Sequence, residues 1–222
     1  MTRRATVADG TDPGDGVRHA IGYRLVTPPG WIEIPVRDST ADTPRQVVKA
    51  AFPDPPDGVP RDAYTRTRIE LERRLAAMIG EARRNGGLAL YLPSCSAYEQ
   101  PVSASFLVAE GSPGRGMLAD PLTVVTELAA ADERARVVIV DGAPAVRTET
   151  TAGPDPARGI AHGSLRADYL VPVPGNEGRW LILSFSTLGA GDPGGEHARL
   201  LAGLFDAIVS TFRWDSHDAE GA

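Results

Sequence analysis

The stretch "LRADYLVPVPGNEGRWLILSFSTLG", residues 165–189, is the segment that decides the fold. Two apolar arms flank the turn sequence "PGNEG", and this pattern predicts two antiparallel strands joined by a short connection. The second arm, "WLILSFSTL", is apolar enough for a central strand. Alternation places Ser184 and Ser186 on one face of that strand, as polar residues of a sheet. We therefore expect a sheet with this second arm at its centre.

Further strands are predicted along the chain. The stretch "RVVIVDGAPAVRTETTA" surrounds Asp141-Gly142, a strong hairpin pattern. The runs "LALYLP" and "VSASFLVAE" also have strand character. In "GYRLVTPPGWIEIPV", which begins at Gly22, a Pro-Pro-Gly turn predicts either a hairpin or a strand–turn–strand corner. The total is about six to eight strands, mostly antiparallel.

Two long amphipathic helices accompany these strands. In "RDAYTRTRIELERRLAAMIGEARRNGG" one face carries Leu71, Leu75, Met78, Ile79 and Ala82, and Asn85-Gly86-Gly87 ends the helix. The closing stretch "HARLLAGLFDAIVSTFRW" repeats the pattern with Leu201, Leu204, Phe205, Ile208 and Phe212. Shorter helices are predicted in "TPRQVVKAAF" and, with Asp120 as N-cap, in "DPLTVVTELAAA". The fold class is therefore α+β, a curved antiparallel sheet packed by two long helices in an α/β/α sandwich.

The organised part of the chain is expected to span residues 20–214 as one domain. Residues 1–19 are rich in Asp, Gly, Thr and Arg and predict a disordered leader, and residues 215–222 predict a disordered tail. No apolar stretch follows the N-terminal arginines, so no signal peptide is expected. A single cysteine leaves no internal disulfide. These features together predict a soluble cytoplasmic protein without membrane insertion.

Composition excludes several classes of function. The formal net charge of −6 argues against a nucleic-acid-binding protein, which would carry a basic patch. The sequence contains no C-x-x-C, no H-x-x-x-H and no calcium-loop pattern, so no metal is expected. Its glycine-rich stretch "GSPGRGML" has no lysine, and no cofactor is predicted.

Two residues are weighed as nucleophiles. Cys95 lies in "PSCSAYEQP", a turn-like stretch in which no base pattern accompanies the thiol. We expect Cys95 to be a small neutral residue at a turn. Ser164 follows Gly163 but lacks the second glycine and the preceding strand of a nucleophile elbow. We predict no catalytic residue. A hydrolase with Cys95 or Ser164 as nucleophile is the least favoured of the three functional hypotheses.

A partner-binding surface is predicted where the loop "FPDPPDGVPRD", residues 52–62, meets the long helix. The loop is acidic and stiffened by proline, and the helix begins with arginines. The candidate residues are Asp54, Asp57, Arg61, Tyr64 and Arg68. The alternative is a solvated helix face with i,i+4 pairs such as Glu70–Arg74. Trp31 and Trp180 are placed near the sheet ends, either in the core or on the partner surface.

The two ends of the predicted domain resemble the PsbP-like superfamily. "GYRLVTPPGWIEIPV" is similar to its opening P-x-G-W strand pair, and "RWLILSFSTLG" with "HARLLAGLFDAIVSTFRW" looks like its last strand and closing helix. The superfamily includes photosystem extrinsic proteins, Ran-binding relatives and the DcrB and LpqN lipoproteins. The resemblance would cover residues 20–214. It implies an α/β/α sandwich with a non-enzymatic accessory role, although the chain lacks the lipobox cysteine of the exported lipoproteins.

The leading hypothesis is therefore a non-enzymatic protein-binding adaptor or chaperone-like accessory protein with an unidentified protein partner. The chain also looks like actinobacterial proteins of type VII secretion neighbourhoods, which implies an association with that pathway. The alternative is a small-molecule-binding domain with a pocket between the sheet and the long helix. A large exposed apolar patch would favour the adaptor, and a concave pocket with convergent polar groups would favour the ligand binder.

Overall fold

The computed structural model describes residues 5–6, 20–52, 58–94, 102–112, 120–155, 157, 162–176 and 178–216. Four α-helices lie within these ranges: α1 (Thr43–Ala51), α2 (Arg61–Arg84), α3 (Pro121–Ala131) and α4 (Glu196–Ser210). The strands are β1 (Ala5–Thr6), β2 (Ala20–Arg24), β3 (Trp31–Pro35), β4 (Gly87–Pro93), β5 (Ala104–Gly111), β6 (Ala135–Val140), β7 (Ala143–Ala152), β8 (Ser164–Pro172), β9 (Trp180–Thr187) and β10 (Arg213–Ser216). None of the described helices combines the length and the apolar character needed to cross a membrane.

Seven strands form the main sheet, in the order β3-β4-β5-β9-β8-β7-β6 with every pair antiparallel. The predicted α+β class with a helix-packed antiparallel sheet is confirmed. The hairpin of β6 and β7 turns at Asp141 (φ 48°) and Gly142 (φ 79°), both in the left-handed region that a tight hairpin turn requires. Strand β9 lies at the centre of the sheet, as its apolar sequence predicts.

Helix α4 covers one face of the main sheet, here called the α4 face. Phe205 on this helix packs against Phe106 on β5, Phe185 on β9 and Tyr169 on β8, with ring centroids 5.5, 5.1 and 5.7 Å away. All four rings are buried. Apolar residues alternate along the three strands, so each strand contributes a side chain to this cluster at every second position.

The opposite face is covered by two separate groups of helices. Helices α1 and α2 pack over β3 and β4, where Leu75 and Ile79 belong to one hydrophobic cluster with Ile34 and Leu90. Helix α3 packs near the other end of the sheet, in a hydrophobic cluster that contains Trp180. Trp180 is therefore a core residue, and Trp31 is partly buried with its ring 5.4 Å from that of Phe106.

The Pro-Pro-Gly turn is a corner between two sheets. Strand β2 before it pairs with β1 and β10 in a small separate sheet, whereas β3 after it forms the edge of the main sheet.

Strand β10 reaches Ser216, two residues into the stretch expected to be a tail, and β1 lies within the expected leader. Phe212 stacks on Tyr23 at 5.8 Å between ring centroids, and this buried contact holds the end of the chain against β2.

An ionic network around the buried Arg147 joins α4 to the sheet. The Arg147 guanidinium, on β7, donates from Nε to Asp206 Oδ1 at 2.8 Å and from Nη2 to Glu149 Oε2 at 2.7 Å. The Tyr169 hydroxyl donates to the same Asp206 oxygen at 2.7 Å. Burial, and then the hydrogen bond to Asp206, raise the pKa of the Tyr169 phenol above its usual range. Asp206 is therefore the acceptor on which both neighbours depend.

We expect Asp206→Ala to lower the free energy of unfolding by about 2–3 kcal/mol, because a buried guanidinium and a phenol each lose an acceptor. Urea unfolding measures the change. Glu149→Ala is the matched control, with an expected loss below about 1 kcal/mol, since the Glu149 side chain is 40% exposed. Equal midpoints for wild type and Asp206→Ala would show that the network does not hold α4 in place.

Gly86, between α2 and β4, has a φ of +76°, and a Cβ on it would lie 2.5 Å from the Glu110 carbonyl oxygen. Gly142 has a similar φ of +79° with nothing within 4 Å of such a Cβ. We expect Gly142→Ala to cost about 1 kcal/mol of stability from backbone strain alone and Gly86→Ala about 3 kcal/mol. Thermal unfolding of the two variants compares them. Similar losses would contradict the steric argument.

Candidate functional site

A cavity of about 680 Å³ lies between helices α1 and α2 and the main sheet. Its volume falls within the range of small-molecule sites. Helix α1 and the residue after it contribute one wall, formed by Val47, Val48, Ala51 and Phe52. Helix α2 contributes a second wall, formed by Leu71, Arg74, Leu75 and Met78. The second hypothesis from the sequence expected a pocket at this position, between the sheet and the long helix, but named none of its residues.

The floor of the cavity comes from the sheet. Strands β3 and β4 contribute Ile32, Leu92 and Pro93, and β5 and β9 contribute Ala104, Ser105, Ser186 and Thr187. The Thr187 hydroxyl is used within the fold, because it donates to the Ser103 carbonyl at 2.8 Å and accepts from the Gly189 amide at 3.1 Å. Thirteen of the described lining residues are apolar, so the cavity is mainly a hydrophobic surface.

Ser105 and Ser186 are a pair of polar residues in this apolar floor. They lie directly opposite each other on neighbouring strands, in register and on the same face. Such opposed side chains have their Cβ atoms about 5 Å apart. Within the described part of the chain, neither hydroxyl takes part in a hydrogen bond. The floor therefore offers two adjacent hydroxyls to whatever occupies the cavity.

Arg74 is the one charged residue among the described lining residues. Its Nε donates to Glu70 Oε1 at 2.7 Å, which confirms the predicted i,i+4 pair. Arg73 engages the same carboxylate at 2.9 Å through both Nε and Nη2. Hydrogen bonds from Arg73 and then Arg74 lower the pKa of Glu70 to about 2. Glu70 is therefore ionised at neutral pH, and the three side chains carry one net positive charge.

The predicted partner-binding residues divide into three groups. Asp54 and Asp57 lie outside the described residues. Arg61 is exposed at the start of α2. Tyr64 and Arg68 have contacts within the chain: the Tyr64 hydroxyl donates to the Phe52 carbonyl at 2.7 Å, and the Arg68 guanidinium lies 6.0 Å from the Tyr64 ring centroid. Tyr64 thus ties α2 to the end of α1, where Phe52 lines the cavity.

The two residues weighed as nucleophiles are placed differently. Cys95 lies outside the described residues. Ser164 begins β8 opposite Ala152 and is half-buried, and no hydrogen bond joins its hydroxyl to a histidine or a carboxylate within the described ranges. Among those same residues, no cluster of three or more His, Cys, Asp or Glu side chains could hold a metal ion.

We expect Tyr64→Phe to lower the free energy of unfolding by about 1 kcal/mol, because the Phe52 carbonyl loses its hydrogen-bond donor while the ring packing is kept. Urea unfolding provides the measurement. Thr65→Ala on the exposed neighbouring position serves as the control and should change stability by less than about 0.5 kcal/mol. If Tyr64→Phe matches the wild type, Tyr64 does not tie the two helices together.

Comparisons with known proteins identify no family. No protein-family model matches the sequence, and no curated protein matches it either. Among solved structures, a crystal structure from Bacteroides thetaiotaomicron VPI-5482 at 1.50 Å resolution aligns with 7% sequence identity and a TM-score of 0.43. The match covers 88% of this chain and 46% of that chain, so this chain spans less than half of that protein. The resemblance to the PsbP-like superfamily stays a prediction from the sequence.

Proposed function

We propose that the protein binds a small apolar molecule in the cavity between α1, α2 and the main sheet. The observation that supports this best is the cavity itself, with a volume of about 680 Å³ and a mainly apolar lining that contains a few polar groups. Binding sites for small molecules commonly combine these features, with the apolar walls supplying affinity and the polar groups fixing orientation. The function is recognition of a ligand, which is the second hypothesis from the sequence.

Solvent in this open cavity lies against mainly apolar walls, where side chains such as Leu71, Leu75 and Leu92 offer water no hydrogen bond. An apolar ligand would remove these side chains from water at a gain of about 25 cal/mol for each Å² of apolar surface. Ser105 and Ser186 would then hydrogen-bond to an oxygen or nitrogen atom of the ligand and fix its position.

The adaptor hypothesis, with its link to type VII secretion and a protein partner, remains a second proposal. Exposed arginines on α2, Arg61 among them, support it because they would attract an acidic partner. Tyr64 and Arg68 have structural contacts that a partner would have to share. The cavity is a more specific observation, and we therefore place ligand binding first.

A cavity-filling substitution tests ligand binding directly. Ala51 lines the cavity, whereas Ala50, its neighbour on α1, is exposed and outside the lining. We expect the neutral fluorescent probe N-phenyl-1-naphthylamine to bind the purified protein with enhanced emission. Ala51→Trp should weaken this binding by about tenfold or more, because the indole occupies space that the probe needs.

Ala50→Trp is the matched control and should bind the probe as the wild type does. Circular dichroism on both variants verifies that each one is folded. The proposal fails if the wild type does not bind the probe, or if Ala50→Trp and Ala51→Trp bind it equally well.

A further inference from the structure

Arg74 occupies a position on α2 that otherwise belongs to apolar residues. Leu71, Arg74, Leu75 and Met78 follow one another at i, i+3, i+4 and i+7, which is a single helical face, and all four line the cavity. A charged residue on such a face lies at the edge of the apolar surface with its stem against it. Consistent with this, the Arg74 side chain is 69% exposed, so its charge lies at the solvent side of the cavity.

Glu70 does not cancel the charge at this position. The carboxylate accepts hydrogen bonds from both Arg73 and Arg74, so one negative charge meets two positive charges. Arg73 makes two hydrogen bonds to Glu70 and Arg74 makes one through Nε. The Nη1 and Nη2 groups of Arg74 make no hydrogen bond within the described part of the chain and remain able to donate.

This positive charge is local. The whole chain carries a formal charge of −6, so its overall charge does not attract anions. Charges separated by more than about 8 Å are largely screened at physiological ionic strength, and a group bound at the cavity therefore responds mainly to its near neighbours. Among the described lining residues the charged one is Arg74, and the cluster that it forms with Glu70 and Arg73 has a net positive charge.

We propose that the ligand of the cavity is an amphiphile with an anionic head, such as a carboxylate, in which the head binds Arg74 and the apolar chain extends between α2 and the sheet. This inference rests on the proposed function and specifies its ligand class. A guanidinium donates to a carboxylate through parallel N–H groups, which adds orientation to the charge attraction. The apolar chain then covers Leu71, Leu75 and the floor of the sheet.

Displacement of N-phenyl-1-naphthylamine by dodecanoic acid and by 1-dodecanol tests the head group, at about pH 8 where the acid is ionised. The two compounds have the same chain length and differ in charge. We expect Arg74→Gln to weaken dodecanoate binding by about tenfold, because the charge-assisted hydrogen bonds are lost, and to leave 1-dodecanol binding unchanged.

Arg84→Gln is the matched control. Arg84 is an exposed arginine of the same helix, about 15 Å further along its axis, and it does not line the cavity. This variant loses the same charge and should bind dodecanoate within about twofold of the wild type. Glu70→Gln should instead strengthen dodecanoate binding, because it removes the competing carboxylate, and it should not affect 1-dodecanol.

Each outcome separates the two proposals. If neither the probe nor any amphiphile binds, ligand binding in the cavity is itself excluded. If the probe and 1-dodecanol bind but Arg74→Gln and Arg84→Gln bind dodecanoate equally well, the cavity is a binding site and its ligand has no anionic head held by Arg74. A selective loss of dodecanoate binding in Arg74→Gln supports the inference.

Discussion

The packing of Phe205 against Phe106, Phe185 and Tyr169 is the contact on which the rest of the structure depends. It places α4 across the middle of the main sheet, over the central strands β5, β9 and β8. One face of the sheet is then covered by α4 together with residues of the small sheet, such as Tyr23 and Trp214. The other helices pack on the opposite face in two groups, α1 with α2 over one side and α3 over the other.

The cavity follows from how α1 and α2 are fixed to the sheet. Near its C-terminus, α2 is held by Arg83, whose Nη2 donates to the carbonyls of Val36 at 2.9 Å and Ser39 at 2.6 Å. Near its N-terminus, Tyr64 holds the end of α1. Between these ties the floor of the sheet carries small residues, Ser105 and Ser186, which do not fill the space below the helices. A hydrophobic cavity, open to solvent on the side of Arg74, thus lies between the helices and the sheet.

Local sequence patterns predict most of the elements but little of the site. The apolar faces of α2 and α4 and the Asp141-Gly142 turn depend on neighbouring residues, and the structure confirms them. The Pro-Pro-Gly pattern predicts a hairpin or a corner, and the choice of the corner, like the pairing of β10 with β2, depends on contacts between distant parts of the chain that no local pattern encodes. The pair of hydroxyls could not be predicted for the same reason, because Ser105 and Ser186 lie opposite each other only through the register of β5 with β9. Arginine on a helix predicts a solvated face, and only the packing of α2 places Arg74 beside a cavity.

Arg73 and Arg74 share the Glu70 carboxylate on α2. The positive charge of Arg74 could therefore turn towards a ligand at low cost. Arg73 satisfies both oxygens of Glu70 by itself, so Arg74 can leave the carboxylate without stranding it. In the binding mode proposed above, Arg74 would turn from Glu70 to the head group of the ligand, and Arg73 would keep the carboxylate paired. Movement of one long side chain would change the cavity from an open hydrophobic surface to one that closes over a charged group. Such a change would involve one side chain and no backbone movement, and the Arg73–Glu70 ion pair on the helix surface would be kept.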